Sequence, residues 1–296
     1  MTQLSIDGTN YIEVTPLNSL ADQNVLEFVI PGAGDRYLDL NSTLLHLRLK
    51  IVKPDGSNLA ETDAVGIIQY PLNTMFSQVD VSLNDVLVSC SSATHPYRAM
   101  IETLLNYGPE TLKSQFSAGL WYKDEKDLDS IVVGDDGPNP GLVSRAQFCQ
   151  ESKEFVLMGP LHSDIFFSER LLLNNVDVKI KLVKAKSIFT LMCRADQTYE
   201  LKITAASIFV KKVDVSPAVM LGHSAALMKS NALYPISRVD VKNYTLPAQS
   251  RVCSQDNLFL GKLPRYIVIG LVDHAAWVGS RNLNPFRYSM YRVYIV

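Results

Sequence analysis

Cysteine is scarce in this chain of 296 residues. Cys90, Cys149, Cys193 and Cys253 stand far apart with no CxxC pair among them. That spacing excludes a four-cysteine zinc site and argues against a disulfide framework, which leaves free, partly buried thiols as the expectation. An excess of one charge is missing too: 28 Lys and Arg against 30 Asp and Glu leave a net charge of −2. A protein that grips nucleic acid mainly by neutralising phosphates is far more basic, so such contact is confined here to a weak, non-specific patch. Long apolar runs are absent. Stretches such as 67–68 and 188–192 fall far short of the roughly 20 residues that span a bilayer, so no membrane span is expected. The opening, MTQLSIDGTNYIEV, has no basic stretch followed by an apolar one, which predicts no secretory signal.

Catalytic signatures are equally thin. His46, His95, His162, His223 and His274 include no pair at metal-ligand spacing, and none neighbours a cysteine. The acid–histidine pair Asp273-His274 follows an apolar stretch and reads as a strand-end hydrogen bond. There is no GxSxG elbow. Gly32-Ala33-Gly34 sits between two strand-like stretches and reads as a turn, not a nucleotide fingerprint. Asp135-Asp136-Gly137 lacks the acid spacing of a calcium loop. No catalytic, cofactor-binding or metal residue is nominated, no cofactor is implied, and the chain is not expected to be an enzyme.

What is present is strand. A content of 47% hydrophobic and 20% charged residues excludes wholesale disorder. Residues 25–30 and 37–52 read as strands. In the second, Leu45, Leu47, Leu49 and Ile51 share one face and His46, Arg48 and Lys50 the other, the period-two pattern of a half-buried strand. Residues 78–88 alternate likewise, with a hairpin turn at Asn84-Asp85. Strand character continues at 155–158, 176–183, 187–192, 199–204, 207–215, 237–244 and 266–272, and again in the closing run 288–296, whose edge needs cover.

Helices are few. One spans 97–106 behind Thr94-His95-Pro96, its apolar face being Ala99, Met100, Ile101, Leu104 and Leu105, with a further turn at 110–115. Another spans 217–229 with Ser216 as N-cap and Pro217 in the first position, packing Met220, Leu221, Ala225, Leu227 and Met228 onto a sheet. Residues 121–142 read as a long loop, and a boundary falls near 214–217. Lys179, Lys181, Lys184 and Lys186 form a basic stretch: a solvated face that discourages edge pairing, or a weak nucleic-acid contact joined by Lys211-Lys212. Many short strands with few helices predict an all-β fold of antiparallel sandwiches.

The run from Val25 to Ile51 (VLEFVIPGAGDRYLDLNSTLLHLRLKI) resembles the opening strands of the major capsid proteins of Polinton (Maverick) elements and adintoviruses. So does Ile165-Phe166-Phe167-Ser168-Glu169-Arg170 behind Pro160-Leu161, and Asn282-Leu283-Asn284-Pro285-Phe286 is similar to that family's NPF stretch. The resemblance implies a double jelly roll: a first jelly roll over 1–215 and a partial second one over 216–296, because family members continue well beyond the NPF stretch. It further implies a structural virion protein that self-associates as a homotrimer and then as a capsid lattice, with loop 121–142 in an outer tower. A minor (penton) capsid protein is the implied further partner, and assembly takes place inside the host cell, in cytoplasm or nucleus. The alternatives are a carbohydrate-binding jelly-roll module, a cupin-like enzyme, for which clustered His and Glu are missing, and a truncated capsid-derived protein that does not assemble.

Overall fold

A computed structural model describes residues 5–20, 24–32, 34–89, 91–248, 250, 254–256, 258 and 263–288. Ten strands alternate between layers: β1 (Ile6–Val14), β2 (Val25–Ile30), β3 (Arg36–Val52), β4 (Val65–Ile67), β5 (Phe76–Leu83), β6 (Val86–Leu87), β7 (Phe155–Pro160), β8 (Val178–Lys184), β9 (Leu191–Cys193) and β10 (Glu200–Val215). Seven α-helices are short: α1 (Pro71–Thr74), α2 (His95–Asn106), α3 (Pro109–Ser114), α4 (Pro140–Cys149), α5 (Ser187–Thr190), α6 (Pro217–Leu227) and α7 (His274–Val278).

Two four-stranded sheets form the body, one ordered β1-β10-β3-β7 and the other β2-β8-β5-β6, while β4 and β9 pair separately. Every pairing is antiparallel, and the partners nest: β1 with β10, β2 with β8, β3 with β7, β5 with β6. Such nesting arises when one long hairpin is folded over into two facing sheets, which is jelly-roll topology. The fold is all-β with a few helices, as expected. Alternation drives it. Leu45, Leu47, Leu49 and Ile51 are fully buried, facing Phe28, Ile30, Val81, Ile180 and Leu182 of the opposite sheet in one shared core. At ~0.8 kcal/mol per buried CH₂, these rows supply the main force holding the layers together. The predicted hairpin is present: Asn84 and Asp85 both take positive φ, at 46° and 65°. That left-handed pair matches the twist of the strands it joins.

Several expectations are corrected. Residues 187–192 split into α5 followed by β9. Residues 199–204 and 207–215 are one strand, β10, whose register shifts between Ile203 and Ala205 supply the irregularity that suggested two. The loop expected over 121–142 is irregular only as far as Asn139, whose side chain caps α4 by accepting from the Gly141 and Leu142 amides. Residues 237–244 and 266–272 are not strands, and no strand follows Val215 among the described residues. A strand needs a neighbouring strand to take its backbone hydrogen bonds, and among the described residues neither stretch pairs with one. The closing run lies outside the described residues apart from Tyr288.

Helix α6 begins as expected after Ser216, although that side chain makes no capping bond. Its packing on the sheet is partial: Val219 and Met220 lie against Tyr37, Val213 and Val215 of β3 and β10, while Leu221, Leu227 and Met228 are exposed. Helix α2 also departs from its predicted face. Leu104 and Leu105 are exposed, whereas Arg98, Glu102 and Thr103 are buried.

Candidate functional site

The buried face of α2 carries the densest set of ionisable groups. Arg98 forms a buried ion pair with Asp164 and donates from Nε to Glu102 Oε1 at 3.1 Å. His162 Nδ1 donates to Glu102 Oε2 at 2.9 Å, while its Nε2 lies 3.3 Å from both the Tyr70 and Thr103 hydroxyls. Burial works against ionising Glu102, but the His162 hydrogen bond and the Arg98 charge outweigh it and hold the carboxyl below its ordinary value. His95, one helical turn before Arg98 and Ala99, is driven well below 6.5 by burial and by the His162 and Arg98 charges.

This cluster has the ingredients of acid–base chemistry without access for a substrate. The cavity beside His95, Arg98 and His162 is about 10 Å³, room for about one water. Its fourth wall is Val239 and Val241, from the irregular segment after α6. The Val239 amide donates to Asp164 Oδ1 at 3.2 Å, and Arg170 donates to the Leu233 carbonyl at 2.7 Å. The cluster therefore fastens residues 233–241 to the roll.

A second fastening holds the NPF stretch. Arg145, wholly enclosed, donates to the carbonyls of Ile67 (2.8 Å) and Tyr122 (2.5 Å) and pairs with Asp124 at 2.7 Å. Asn284 completes it, donating from Nδ2 to Asp124 Oδ2 at 2.8 Å and from its backbone amide to Asp129 at 2.9 Å. Phe286 then packs edge-on against Tyr97 and Phe189, and Trp277 stacks on Tyr97 at 4.5 Å. Two of the three stretches that carry the resemblance thus meet the buried polar clusters. Ile165 and Phe166 follow Asp164 into the core, and Asn284 binds loop 121–142.

The other histidines weighed in the sequence scatter. His46 points outward from β3 to Ser207, His223 stacks on Tyr37, and His274 opens α7. Asp273 is that helix's N-cap, accepting from the Ala275 amide at 2.7 Å, not a strand-end partner of His274. Among the described residues no group of three or more His, Cys, Asp or Glu is placed to hold a metal, and no helix is long and apolar enough to cross a membrane. Cys149 and Cys193 are free and buried, with burial pushing the Cys149 thiol up to about 12; Cys90 and Cys253 lie outside the described residues.

Lys179, Lys181 and Lys184 sit on β8, an interior strand of its sheet, and guard no edge, while Lys186 is the N-cap residue of α5. Lys179 pairs with Asp85, and Lys181 lies in register between Glu27 and Asp80. Lys211 pairs with Asp39. Tyr11 is the one exposed aromatic residue on the strands among the described residues, so neither sheet face offers the aromatic platform of a carbohydrate-binding module. Sequence reasoning missed Arg98, Glu102 and Arg145. A charged residue in a helical apolar stripe, as Arg98 and Glu102 are at spacing i, i+4, is the signal that marks them.

No protein-family model matches the chain. An uncharacterised Caenorhabditis elegans protein, F54H12.2, is 23% identical to it, across 99% of this chain and 70% of that protein. Among solved structures, the cryo-electron microscopy structure of the Sputnik virophage aligns with a TM-score of 0.48 at 12% identity, over 73% of this chain and 50% of that one. The Faustovirus major capsid protein aligns at 0.43 and 10% identity, over 77% and 57%. The mavirus major capsid protein aligns at 0.39 and 16% identity, over 71% and 47%. The chain spans about half the length of these solved chains.

Proposed function

We propose that this chain is a structural capsid subunit akin to the major capsid proteins of Polinton elements and adintoviruses, without catalytic activity or cofactor. The observation that carries the reading is the nested eight-strand roll between Ile6 and Val215, within which lie two of the three sequence stretches that resemble that family. The ionisable clusters support it from the other side. Their partners are one another and the chain's own backbone, as expected where polar groups fix a scaffold and do not face a substrate.

On this reading the roll is the first of two, and residues 216–296 belong to a second whose strand-like stretches need partners. Three copies form a pseudo-hexagonal capsomer, capsomers form an icosahedral shell inside the host cell, and a penton protein fills the vertices. Large interfaces between copies supply the stability, by burial of apolar surface. Lysine contacts to nucleic acid are minor, because carboxylates flank the β8 lysines.

Size-exclusion chromatography with light scattering on the purified chain tests the proposal. The expected result is a stable homo-oligomer of three copies; a well-folded species that stays monomeric at every concentration overturns it.

A further inference from the structure

His95 is the odd member of the α2 cluster. It is 4% exposed, and its Nε2 meets no hydrogen-bond partner among the described residues. The cavity it lines, about 10 Å³, holds about one water, with Ser92 and Thr94 beside it. Arg98 and Glu102 face the cluster from α2, His162 and Asp164 from the turn after β7, and Arg238 from the segment beyond α6, its Nε 4.0 Å from Asp164. Asp80 on β5 turns instead to Gln78, accepting at 2.7 Å. Both buried carboxylates are committed: Glu102 to Arg98 and His162, Asp164 to Arg98 and the Val239 amide. A second ring proton on His95 sets a cation beside Arg98 with no acceptor at Nε2 and almost no water, a state that burial penalises heavily.

One wall of the cavity can yield. Val79 belongs to β5, paired in its sheet, and His95 and Arg98 belong to α2. Residues 238–241 are irregular and pair with no strand among the described residues. Val239 and Val241 turn half-buried side chains onto the cavity, while Arg238 and Asp240 are exposed. Isolated polar contacts hold the segment down. The Val239 amide donates to Asp164 Oδ1 at 3.2 Å, the Thr94 hydroxyl to the Val241 carbonyl at 3.5 Å, and Arg238 Nη2 to the Val88 carbonyl at 3.2 Å. Lifting it brings solvent to His95 without breaking a strand pair or a helical turn.

We propose that residues 238–241 are an acid-released latch: a proton taken up by His95 lifts the segment off α2 and lets water into the cavity, while the two sheets stay paired. The inference goes beyond the capsid reading and stands without it. Its direction follows from linkage. With the latch open, His95 titrates near its ordinary value of about 6.5; with the latch closed, it stays neutral far below that. Opening is favoured increasingly as pH falls below about 6.5, approaching a factor of roughly ten per pH unit.

Hydrogen–deuterium exchange on the full chain tests the latch, with rates corrected for the intrinsic pH dependence of exchange. Protection of peptides covering 238–241 should fall roughly tenfold between pH 7.5 and 5.5, while β3 and β10 keep theirs. His95→Gln, neutral at every pH, should hold that protection constant. Protection of 238–241 that does not move with pH overturns the proposal. So does a loss shared equally by β3 and β10, which is global unfolding, or one that survives in His95→Gln. A loss confined to pH below about 5 places the proton on a carboxylate and overturns it as well. The comparison within the parent chain needs no substitution, so it decides even where His95→Gln fails to fold.

Discussion

Arg145 shows what a single enclosed charge does in this molecule. It is fully buried, and its guanidinium joins β4, loop 121–142 and, through Asp124, the NPF stretch. Replacing it with Met keeps the volume but strands the Asp124 carboxylate. Breaking a buried pair from one side costs about 3–5 kcal/mol. Arg145→Met should therefore lower unfolding free energy by about that amount in chemical denaturation, and a loss under about 1 kcal/mol would show that Asp124 finds other partners.

The α2 cluster makes stability depend on pH, and its two groups act in the same direction. His95 is neutral in the fold, so the unfolded chain binds the extra proton once pH falls below 6.5, and stability drops from there downward. Glu102, held below its ordinary value, contributes stability at neutral pH that is lost as pH falls through the carboxylate range. Denaturation midpoints should fall in two stages between pH 7.5 and 4. His95→Phe should remove the first stage and leave the second; a first stage that survives would place its origin elsewhere. Only the i, i+4 spacing of Arg98 and Glu102 was legible in the sequence; His162 and Asp164 join them only where α2 meets the turn before Ile165.

At the scale of elements, period-two alternation was readable wherever a strand had a neighbour. The long row Leu45, Leu47, Leu49 and Ile51 on β3 and the Ile180–Leu182 alternation on β8 behave as written in the sequence. Alternation failed where pairing is missing: 237–244 and 266–272 have strand composition without strand partners. Helix α6 was foreseen in extent and only partly in packing, since its apolar residues surround the whole helix and single out no face. Gly32 follows β2 and sits tightly against the 174–177 turn. A Cβ there would come within 2.4 Å of the Val176 amide nitrogen, and the Gly32 amide donates to Asp177 at 2.7 Å. Gly32→Ala must push backbone against backbone at the junction of β2 and β8. Overpacking of this kind costs about 1–3 kcal/mol, read as a lower melting temperature. An unchanged melting curve would mean the 174–177 turn yields freely.

At the scale of the molecule, two facing four-stranded sheets make the roll between Ile6 and Val215, and the described residues beyond it are fastened to the roll at Asp164 and, through Asn284, at Asp124. Buried apolar area, foremost the row Leu45, Leu47, Leu49 and Ile51 facing the opposite sheet, is the main source of its stability. Apolar side chains on α6, such as Leu221 and Met228, stand exposed, and the self-assembly proposed above would cover such surface. Electron microscopy of the purified chain measures that directly. Class averages showing particles of three copies about a threefold axis are the predicted result; a field of single compact copies at micromolar concentration would contradict the account.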